Sequence, residues 1–473
     1  MTPLPPDSFR ANGATVPPPG CPARAGSTGP RAALYGPEAT TDPMGLYERL
    51  RNEHGAIAPV LLEGDVPAWL VLGYDEILHV ARSPRRFTRD SRYWRDWQEG
   101  LVPADAPVVP MLGWRPNCLS QDGTEHHRLR GAVNDSLERF DRRGLRRSVN
   151  RYAGQLIDRF ARDGRAELIS QYAEQLPMLV LIRLFGLPEE EGPQLVGASR
   201  QLVRGSRKAV TSAQYIQDAL RRLVAERKAR PGRDLATWLL QHHSQLTDEE
   251  VEQHLRLVLI AANETTTNLI VNTLRVVLTD PRFRGTLNGG QITLAGAVDQ
   301  VLWDEPPLMV CPARFATYDM EIDGHTVRRG DLLLLGLAAG NVDPAVRPGP
   351  GADMQGNRSH LSFSSGPHEC PGADIGRALT GSGIEALLKH LPDLRLTLDE
   401  EDLSWTSSTW ARHLDALPVE FTPRRVGARP PAAPFPRLRS DGPAALPAGR
   451  AAPEDPLGPA RGRPAAGRQP GGG

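Results

Sequence analysis

The chain has 473 residues, of which 40% are hydrophobic and 24% charged, and its 56 basic residues balance its 56 acidic ones. A formal net charge of zero excludes a general electrostatic attraction to nucleic acid or to an anionic membrane surface. No run approaches the roughly 18 apolar residues that a membrane-spanning helix needs. These features predict a cytoplasmic globular protein with neither nucleic-acid nor membrane partners.

Both ends of the chain have compositions that are typical of disorder. Residues 1–40 are rich in proline, glycine and alanine and lack the apolar core of a signal peptide. Residues 425–473 have a similar composition with scattered arginines, and such segments bury too little surface to offset their ordering entropy. We therefore expect one folded domain over residues 41–424. The C-terminal tail is then either an inert extension or a docking segment that uses its arginines.

Between these ends the pattern is mostly helical. The stretch PMGLYERLRNEH predicts a helix, PAWLVLGY a strand, and long amphipathic runs fill roughly residues 125–280. Thr247 and Glu250 have the spacing of a capping box that opens a strongly apolar helix. Asp323-Gly324 predicts a turn between strands, and a last helix follows Cys370. The sequence thus predicts a mainly α fold with a minor β region.

The strongest local signal is the segment Phe363-Ser-Ser-Gly-Pro-His-Glu-Cys370-Pro-Gly. Its glycines allow backbone to pass close to a bound group. The helix predicted just beyond the cysteine would direct N–H groups at its sulfur and favour the thiolate. The alternative for a lone cysteine here is a buried structural thiol beside a glycine-rich turn.

This segment resembles the cysteine loop of the cytochrome P450 family, F-x-x-G-x-H-x-C-x-G, at all five specified positions. The resemblance covers about residues 40–424 and implies the P450 fold. It implies that Cys370 is the thiolate ligand of the iron in haem b (iron protoporphyrin IX). The other cysteines, Cys21, Cys118 and Cys311, have no such context and are interpreted as structural.

The apolar helix opened by the capping box contains LVLIAANETTTNLI, residues 257–270. Three threonines in mid-helix work against helix propensity, because their hydroxyls bond back to the preceding turn. The stretch is similar to the P450 pattern A-[GA]-x-[DE]-T, which implies that Glu264 and Thr265 relay protons for oxygen activation. The alternative is a polar stripe that faces another helix.

Four side chains match the positions where the family holds the haem propionates. The segment DGTEHHRLR supplies His126 and Arg130, four residues apart and hence on one helical face. Arg314 matches an arginine that enters the family's sheet, and His368 matches a cation two residues before the cysteine. Each residue alone is equally consistent with an ordinary surface charge. Together the four predict haem anchoring.

The chain departs from the family at the E-x-x-R motif. The matching residues are Gln300 and Trp303, and Ala352 stands where a second arginine would complete the charged triad. Replacing a whole buried ion network with neutral groups can leave the stability of the fold almost unchanged. Removing one member, in contrast, leaves an unpaired buried charge that is strongly destabilising. We expect Gln300 and Trp303 to share a hydrogen bond and to fill the vacated volume.

The resemblance implies a monooxygenase that inserts one oxygen atom from O2 into a small apolar substrate. Electrons would come from a ferredoxin and a ferredoxin reductase. The missing triad motivates an alternative, a haem-binding protein that has lost turnover and acts as a binding partner, although Glu264 and Thr265 argue against it. Residues 93–119, with three tryptophans, and a lid near residues 188–231 are expected either to line the substrate pocket or to pack against each other.

Overall fold

A computed structural model describes residues 31–203, 209–280, 283, 293–347, 349, 354 and 356–424 of the chain. Helices dominate this part. They are α1 (Pro37–Thr41), α2 (Pro43–His54), α3 (Tyr74–Arg82), α4 (Arg95–Gln98), α5 (Val109–Leu112), α6 (Gly123–Glu138), α7 (Arg142–Phe160), α8 (Gln175–Phe185), α9 (Gly192–Val203), α10 (Ala209–Ala229), α11 (Leu235–Leu240), α12 (Asp248–Thr279), α13 (Leu294–Asp304), α14 (Leu337–Asn341) and α15 (Ala373–His390).

The strands are short and are grouped in small sheets. They are β1 (Ala32–Ala33), β2 (Ile57–Leu62), β3 (Val66–Val71), β4 (Phe87–Thr88), β5 (Arg165–Glu167), β6 (Cys311–Ala316), β7 (Met320–Ile322), β8 (His325–Val327), β9 (Leu332–Leu335), β10 (Arg395–Leu396), β11 (Trp405–Ser407), β12 (Arg412–Leu414) and β13 (Pro418–Glu420). The largest sheet has the order β1-β2-β3-β9-β6-β4, and the others are β10-β13-β5, β11-β12 and β7-β8. The predicted mainly α fold with a minor β region is confirmed.

Helix α12 is the longest described helix, and its 32 residues extend for about 48 Å. It begins where the capping box predicted. The Thr247 hydroxyl accepts from the Glu250 N–H, and the Glu250 carboxylate accepts from the Thr247 N–H at 2.7 Å. Three acidic residues in the first turn complement the positive end of the helix dipole. This N-terminus fixes where the polar residues in the middle of the helix lie.

Two large apolar cores hold α12 and the main sheet. The helical core joins buried side chains of α6, α8, α9, α10 and α11 to Val251, Leu255 and Leu259 of α12. The second core packs the main sheet against α2 and also contains Trp94, which is 2% exposed. Trp94 stacks on Trp97, with ring centroids 6.1 Å apart, and contacts Phe315 of β6. Trp94 therefore packs in the core of the main sheet, and not against the lid region as the packing alternative expected.

Two sequence-based expectations concern the turn between β7 and β8 and the start of the folded domain. Asp323 and Gly324 have φ of 47° and 75° between β7 and β8, which is the turn that the sequence predicted. Residue 41, where the sequence predicted that the domain starts, is the last residue of α1. Strand β1 precedes it, and Ala32 and Ala33 pair in parallel with Val60 and Leu61 of β2. Residues 1–30 and 425–473 lie outside the described residues.

Within the part of the chain that the structure describes, every helix is too short or too polar to cross a lipid bilayer.

Candidate active site

The loop that carries Cys370 is folded back on itself. The Cys370 N–H donates to the Phe363 carbonyl at 2.9 Å, and α15 starts three residues after the cysteine. Gly366 has a φ of 72°, and a Cβ atom there would lie 2.7 Å from the carbonyl oxygen of Ala81 at the end of α3. Both the conformation and the close approach require glycine. The loop is thereby held against α3 on one side and against α15 on the other.

The Cys370 side chain is exposed, whereas Cys118 is buried and Cys311 is partly buried. Protein nevertheless surrounds the Cys370 sulfur on several sides, so that desolvation raises the pKa of its thiol. A backbone hydrogen bond from Gly372 and the charge of Arg130 act in the opposite direction. The predicted preference for the thiolate at the start of the helix is thus outweighed by burial in the protein alone. Cys21 lies outside the described residues.

Two histidines predicted as haem anchors lie together beside this loop. The rings of His126, from α6, and His368 have centroids 4.2 Å apart. His368 Nε2 donates to the Asp122 carboxylate at 2.9 Å, since a carboxylate can only accept. Asp122 also accepts from the Thr88 hydroxyl at 2.6 Å and from the Arg89 N–H at 2.8 Å. Asp122 therefore fixes the orientation of the His368 ring.

Both histidines are neutral near pH 7 in this environment. Burial, followed by the charge of Arg130, lowers the pKa of His126 to about 4. Burial lowers the pKa of His368 to about 3, although Asp122 opposes the shift. The interpretation of His368 as a cation is therefore wrong for the protein alone, because desolvation penalises its charged form. The positive charge around the cysteine loop near pH 7 therefore comes from Arg130 and Arg314.

The two predicted arginines lie in the same electrostatic neighbourhood. Arg130 donates to the Glu369 carbonyl, one residue before the cysteine. Arg314, in β6, is 1% exposed and donates through Nη1 to the Ala313 carbonyl at 3.0 Å. Burial and the nearby Arg89 lower the pKa of Arg314 to about 9, so that it stays protonated at neutral pH. The structure thus brings all four predicted anchors around the cysteine loop.

Two of these buried side chains have a polar atom without a partner. Arg314 Nη2 and His126 Nε2 make no hydrogen bond to any described residue. An unsatisfied buried donor is destabilising by roughly 1–3 kcal/mol, and more when it is charged. The pair of unsatisfied atoms therefore indicates a site for an acceptor group, and the guanidinium makes that acceptor an anion.

The polar residues of α12 have different partners from one another. The Thr265 hydroxyl donates back to the Ala261 carbonyl at 2.7 Å, as the sequence predicted for mid-helix threonines. The Glu264 carboxylate lies 3.2 Å from Nδ1 of His413 in β12. Ala261 is exposed although it is in the middle of a long helix, so that this face borders open space. Glu264 and Thr265 do not bond each other directly.

His413 and Asp122 are site residues that the sequence reasoning missed. His413 follows Glu264 by 149 positions, and its short strand carries no motif. Asp122 opens the DGTEHHRLR segment, so that a signal was available, but its histidine partner lies 246 residues away. Contacts at such separations depend on the tertiary fold.

Gln300 and Trp303, the residues that the sequence aligned with the E-x-x-R motif, lie on α13. Trp303 is 1% exposed and donates through Nε1 to the Asn357 carbonyl at 2.8 Å. Gln300 donates to the Asp304 carboxylate at 3.2 Å. The expectation that Gln300 and Trp303 share a hydrogen bond is therefore wrong, although the indole does fill buried volume. Ala352 lies outside the described residues.

A different charged network lies one residue before Gln300. Asp299, which is 5% exposed, forms an ion pair with Arg377 of α15. Arg377 also donates through Nη2 to His360 Nε2 at 2.6 Å and lies 5.4 Å from the centre of the Phe363 ring. Because Phe363 packs against the core shared by α12 and α13, this network ties α13 to the cysteine loop. We term Asp299, Arg377 and His360 the proximal network.

Comparison with known proteins finds similar chains among bacterial cytochrome P450 enzymes and hydroxylases. PikC, a cytochrome P450 monooxygenase of Streptomyces venezuelae, is 31% identical over 404 residues, which cover 83% of this chain and 94% of PikC. The vitamin D(3) 25-hydroxylase of Pseudonocardia autotrophica is 30% identical over 398 residues, which cover 81% of this chain and 94% of the hydroxylase. The solved structure of CYP154C4 from Streptomyces sp. ATCC 11861 has a TM-score of 0.75 at 28% identity, and the match covers 83% of this chain and 98% of CYP154C4. No family model matches the chain.

Similarity over most of both chains to enzymes named as monooxygenases and hydroxylases defines an oxidoreductase with a haem cofactor. The chain belongs to the cytochrome P450 family, and the P450 fold expected from the sequence is confirmed. These relatives do not favour the alternative of a haem protein that has lost turnover.

The residues present fit a haem. An exposed thiol lies on a loop beside buried Arg314 and His126, whose unsatisfied Nη2 and Nε2 atoms suit anionic propionates. Cys370 would hold the iron, and Arg130 and Arg314 would supply the positive charge for the carboxylates.

The proximal network generates a stability prediction. Asp299→Asn leaves the Arg377 guanidinium, whose side chain is 16% exposed, without its carboxylate. We expect the free energy of unfolding to fall by about 3 kcal/mol, as for other buried ion pairs that lose one partner. Denaturant titration measures this loss. The control is Asp374→Asn in the exposed Arg142–Asp374 pair, which should lose less than about 1 kcal/mol. Equal losses would contradict a special role for Asp299.

A second prediction concerns Gln300 of α13. Gln300→Glu adds a carboxylate beside Asp299 and one helical turn before Asp304. Like charges at this spacing repel each other, and the site is partly buried, so that the substitution should lower the melting temperature. Gln300→Leu, which adds no charge, is the control and should be less destabilising. A higher melting temperature for Gln300→Glu would show that the position still accepts the carboxylate.

Proposed function

We propose that this P450 inserts one oxygen atom from O2 into a small apolar organic substrate, using haem b and electrons from a ferredoxin and its reductase in the cytoplasm. The observation that carries the proposal is the exposed Cys370 thiol beside the buried donors of Arg314 and His126. Bound haem supplies the one-electron and O2 chemistry, which a thiolate ligand biases towards O–O cleavage.

The protein's own residues would bind and orient this cofactor. Cys370 would ligate the iron from a loop fixed by Gly366 and by the proximal network. Arg130 and Arg314 would pair with the propionates. His126 and His368 would contribute as neutral hydrogen-bonding rings, with His368 oriented by Asp122.

Proton supply is the proposed role of the α12 residues. Thr265 holds its hydroxyl at the edge of the open face of the helix, next to exposed Ala261. Glu264, beside His413, would take up protons and pass them on through water, because a carboxylate and a hydroxyl can each cycle between donor and acceptor. Leu257 and Val258, which are partly buried, supply apolar surface for a substrate one turn or more before Thr265.

The proposed docking surface for a ferredoxin is on the cysteine side. Exposed Arg142 and Arg146 of α7 form ion pairs with Asp374 and Glu385 of α15, the helix that follows the cysteine. Such exposed pairs contribute little to stability, so that these arginines remain able to exchange partners. An acidic ferredoxin surface would be attracted to these arginines, and the range of the attraction would shorten as the ionic strength rises.

The ligand assignment is tested by Cys370→Ser. We expect wild-type protein, purified with haem, to show in its reduced carbon monoxide difference spectrum the long-wavelength band of a thiolate ligand. Cys370→Ser should lose that band because the hydroxyl is a poor substitute for thiolate. Cys311→Ser, at a partly buried cysteine of β6, should retain it. An unchanged spectrum in Cys370→Ser would disprove the ligand assignment.

The proton relay is tested by Thr265→Ala. Removing the hydroxyl should lower the product formed per NADPH consumed by roughly tenfold, since a positioned proton donor typically contributes 10²–10⁴-fold in rate. Thr265→Ser, which keeps the hydroxyl, should largely restore coupling. The measurement uses a ferredoxin system and a substrate found by a spin-state screen. Equal product yield in Thr265→Ala and wild type would refute the relay.

A further inference from the structure

The Glu264 carboxylate faces a histidine from a distant strand. Glu264 Oε1 lies 3.2 Å from Nδ1 of His413 in β12. The same nitrogen lies 3.0 Å from Oδ1 of Asn268, which follows Glu264 by one helical turn and therefore shares its face of α12. Among the residues that the structure describes, no arginine or lysine forms an ion pair with Glu264. The carboxylate is thus paired with a side chain of the type that can both take up and release a proton.

The position of the hydrogen on the His413 ring follows from its two acceptors. The Asn268 amide donates through Nδ2 to the Pro307 carbonyl at 3.4 Å, which leaves its Oδ1 facing His413. An amide oxygen and a carboxylate can only accept, so that the His413 Nδ1 carries hydrogen and donates. Nε2 is then the nitrogen that gains or loses a proton. Asn268 therefore orients the ring with its Nδ1–H towards Glu264.

Water can reach both groups of this pair. The side chain of His413 is 25% exposed and that of Glu264 is 27% exposed. Glu264 also directly precedes Thr265, whose hydroxyl lies at the edge of the open face of α12. The carboxylate therefore contacts a solvent-accessible ring and is the chain neighbour of the residue that would receive its protons.

The polar residues further along α12 have a different kind of partner. Asn272 donates to the Glu305 carbonyl at 3.2 Å, and Arg275 forms an ion pair with the Glu305 carboxylate at 2.7 Å. A guanidinium does not lose its proton in a protein, so that this contact can hold the helix in place but cannot pass protons. A structural polar stripe explains these two residues. The pairing of Glu264 with a histidine adds a capacity for proton exchange that a structural stripe does not need.

We propose that His413 is a positioning residue that supplies protons to Glu264, by taking up a proton from water at Nε2 and giving up the one at Nδ1. In this step the Nδ1–H bond breaks and an O–H bond forms on the carboxylate, so that imidazolium and carboxylate become neutral imidazole and carboxylic acid. Proton exchange with water then returns a hydrogen to Nδ1, where Asn268 accepts it. The inference rests on the proposed function and deepens it, because it names the source of the protons that Glu264 passes on.

The hydrogen on Nδ1 is tested by nitrogen-15 NMR of the histidine rings in the haem-loaded, reduced and carbon monoxide-bound protein, which is diamagnetic. The His413 signals are identified by their loss in His413→Gln. Nδ1 should stay protonated while Nε2 loses its proton as the pH rises. His390, which donates through Nδ1 to the Ala386 carbonyl at 2.7 Å, and His325, which donates through Nε2 to the His54 carbonyl at 2.9 Å, are references for the two nitrogens. A neutral His413 ring with its hydrogen on Nε2 would overturn the proposal.

The supply of protons is tested by steady-state turnover of His413→Gln with a ferredoxin system. Glutamine can still donate a hydrogen bond to Glu264 but cannot relay a proton. We expect kcat to fall roughly tenfold while KM stays within about twofold, since a positioned proton donor typically contributes 10²–10⁴-fold in rate. The ratio of kcat in H2O to kcat in D2O should rise, because proton delivery becomes limiting.

His325→Gln is the matched control, since His325 is also a partly buried histidine on a short strand, and it should keep the wild-type kcat and isotope ratio. An unchanged kcat in His413→Gln would overturn the proposal. So would a raised KM with an unchanged isotope ratio, because that pattern is the one expected for a structural contact alone.

The carbon monoxide spectrum separates this inference from the proposed function. If wild-type protein lacks the thiolate band, the monooxygenase proposal fails and the role of His413 fails with it. If the band is present and Thr265→Ala lowers the product formed per NADPH, but His413→Gln behaves like wild type, only the role of His413 is refuted.

Discussion

The ion pair between Asp299 and Arg377 ties helix α13 to the helix that follows Cys370, and the geometry of the cysteine loop depends on it. His360 accepts from the same guanidinium, and the Phe363 ring lies beneath it. The sulfur proposed to hold the iron would then be fixed relative to the elements around it. The proximal network holds the loop with largely buried charges that satisfy one another.

The cofactor side of the site combines satisfied and unsatisfied polar groups. Asp122 satisfies His368 and thereby orients it, whereas Arg314 and His126 retain buried atoms without partners. The first arrangement makes the site rigid, and the second leaves donors available for an anionic ligand. Unsatisfied buried donors are destabilising in the ligand-free protein, and a bound anion would offset that loss.

Much of the fold followed from local sequence patterns. The helix at Pro43–His54, the capping box at Thr247 and the turn at Asp323-Gly324 all agree with the structure, because each depends on residues within one or two turns of chain. The cysteine loop was found in the same way. The charge state of His368 could not be predicted from a local pattern, because its pKa depends on burial by residues far away in the sequence. The partners of Gln300 and Trp303 were mispredicted for a related reason, since Asn357 reaches Trp303 only through the packing of α13.

The sequence by itself determined the family resemblance, the candidate thiolate and the positions of the α12 threonines, since spacing along one loop or one helix decides which side chains are neighbours. Only the tertiary structure decided which distant groups meet: Asp299 with Arg377, and Glu264 with His413. The physical reason is that hydrogen bonds and ion pairs act over a few ångströms. Folding alone sets those distances between residues that are far apart in the chain.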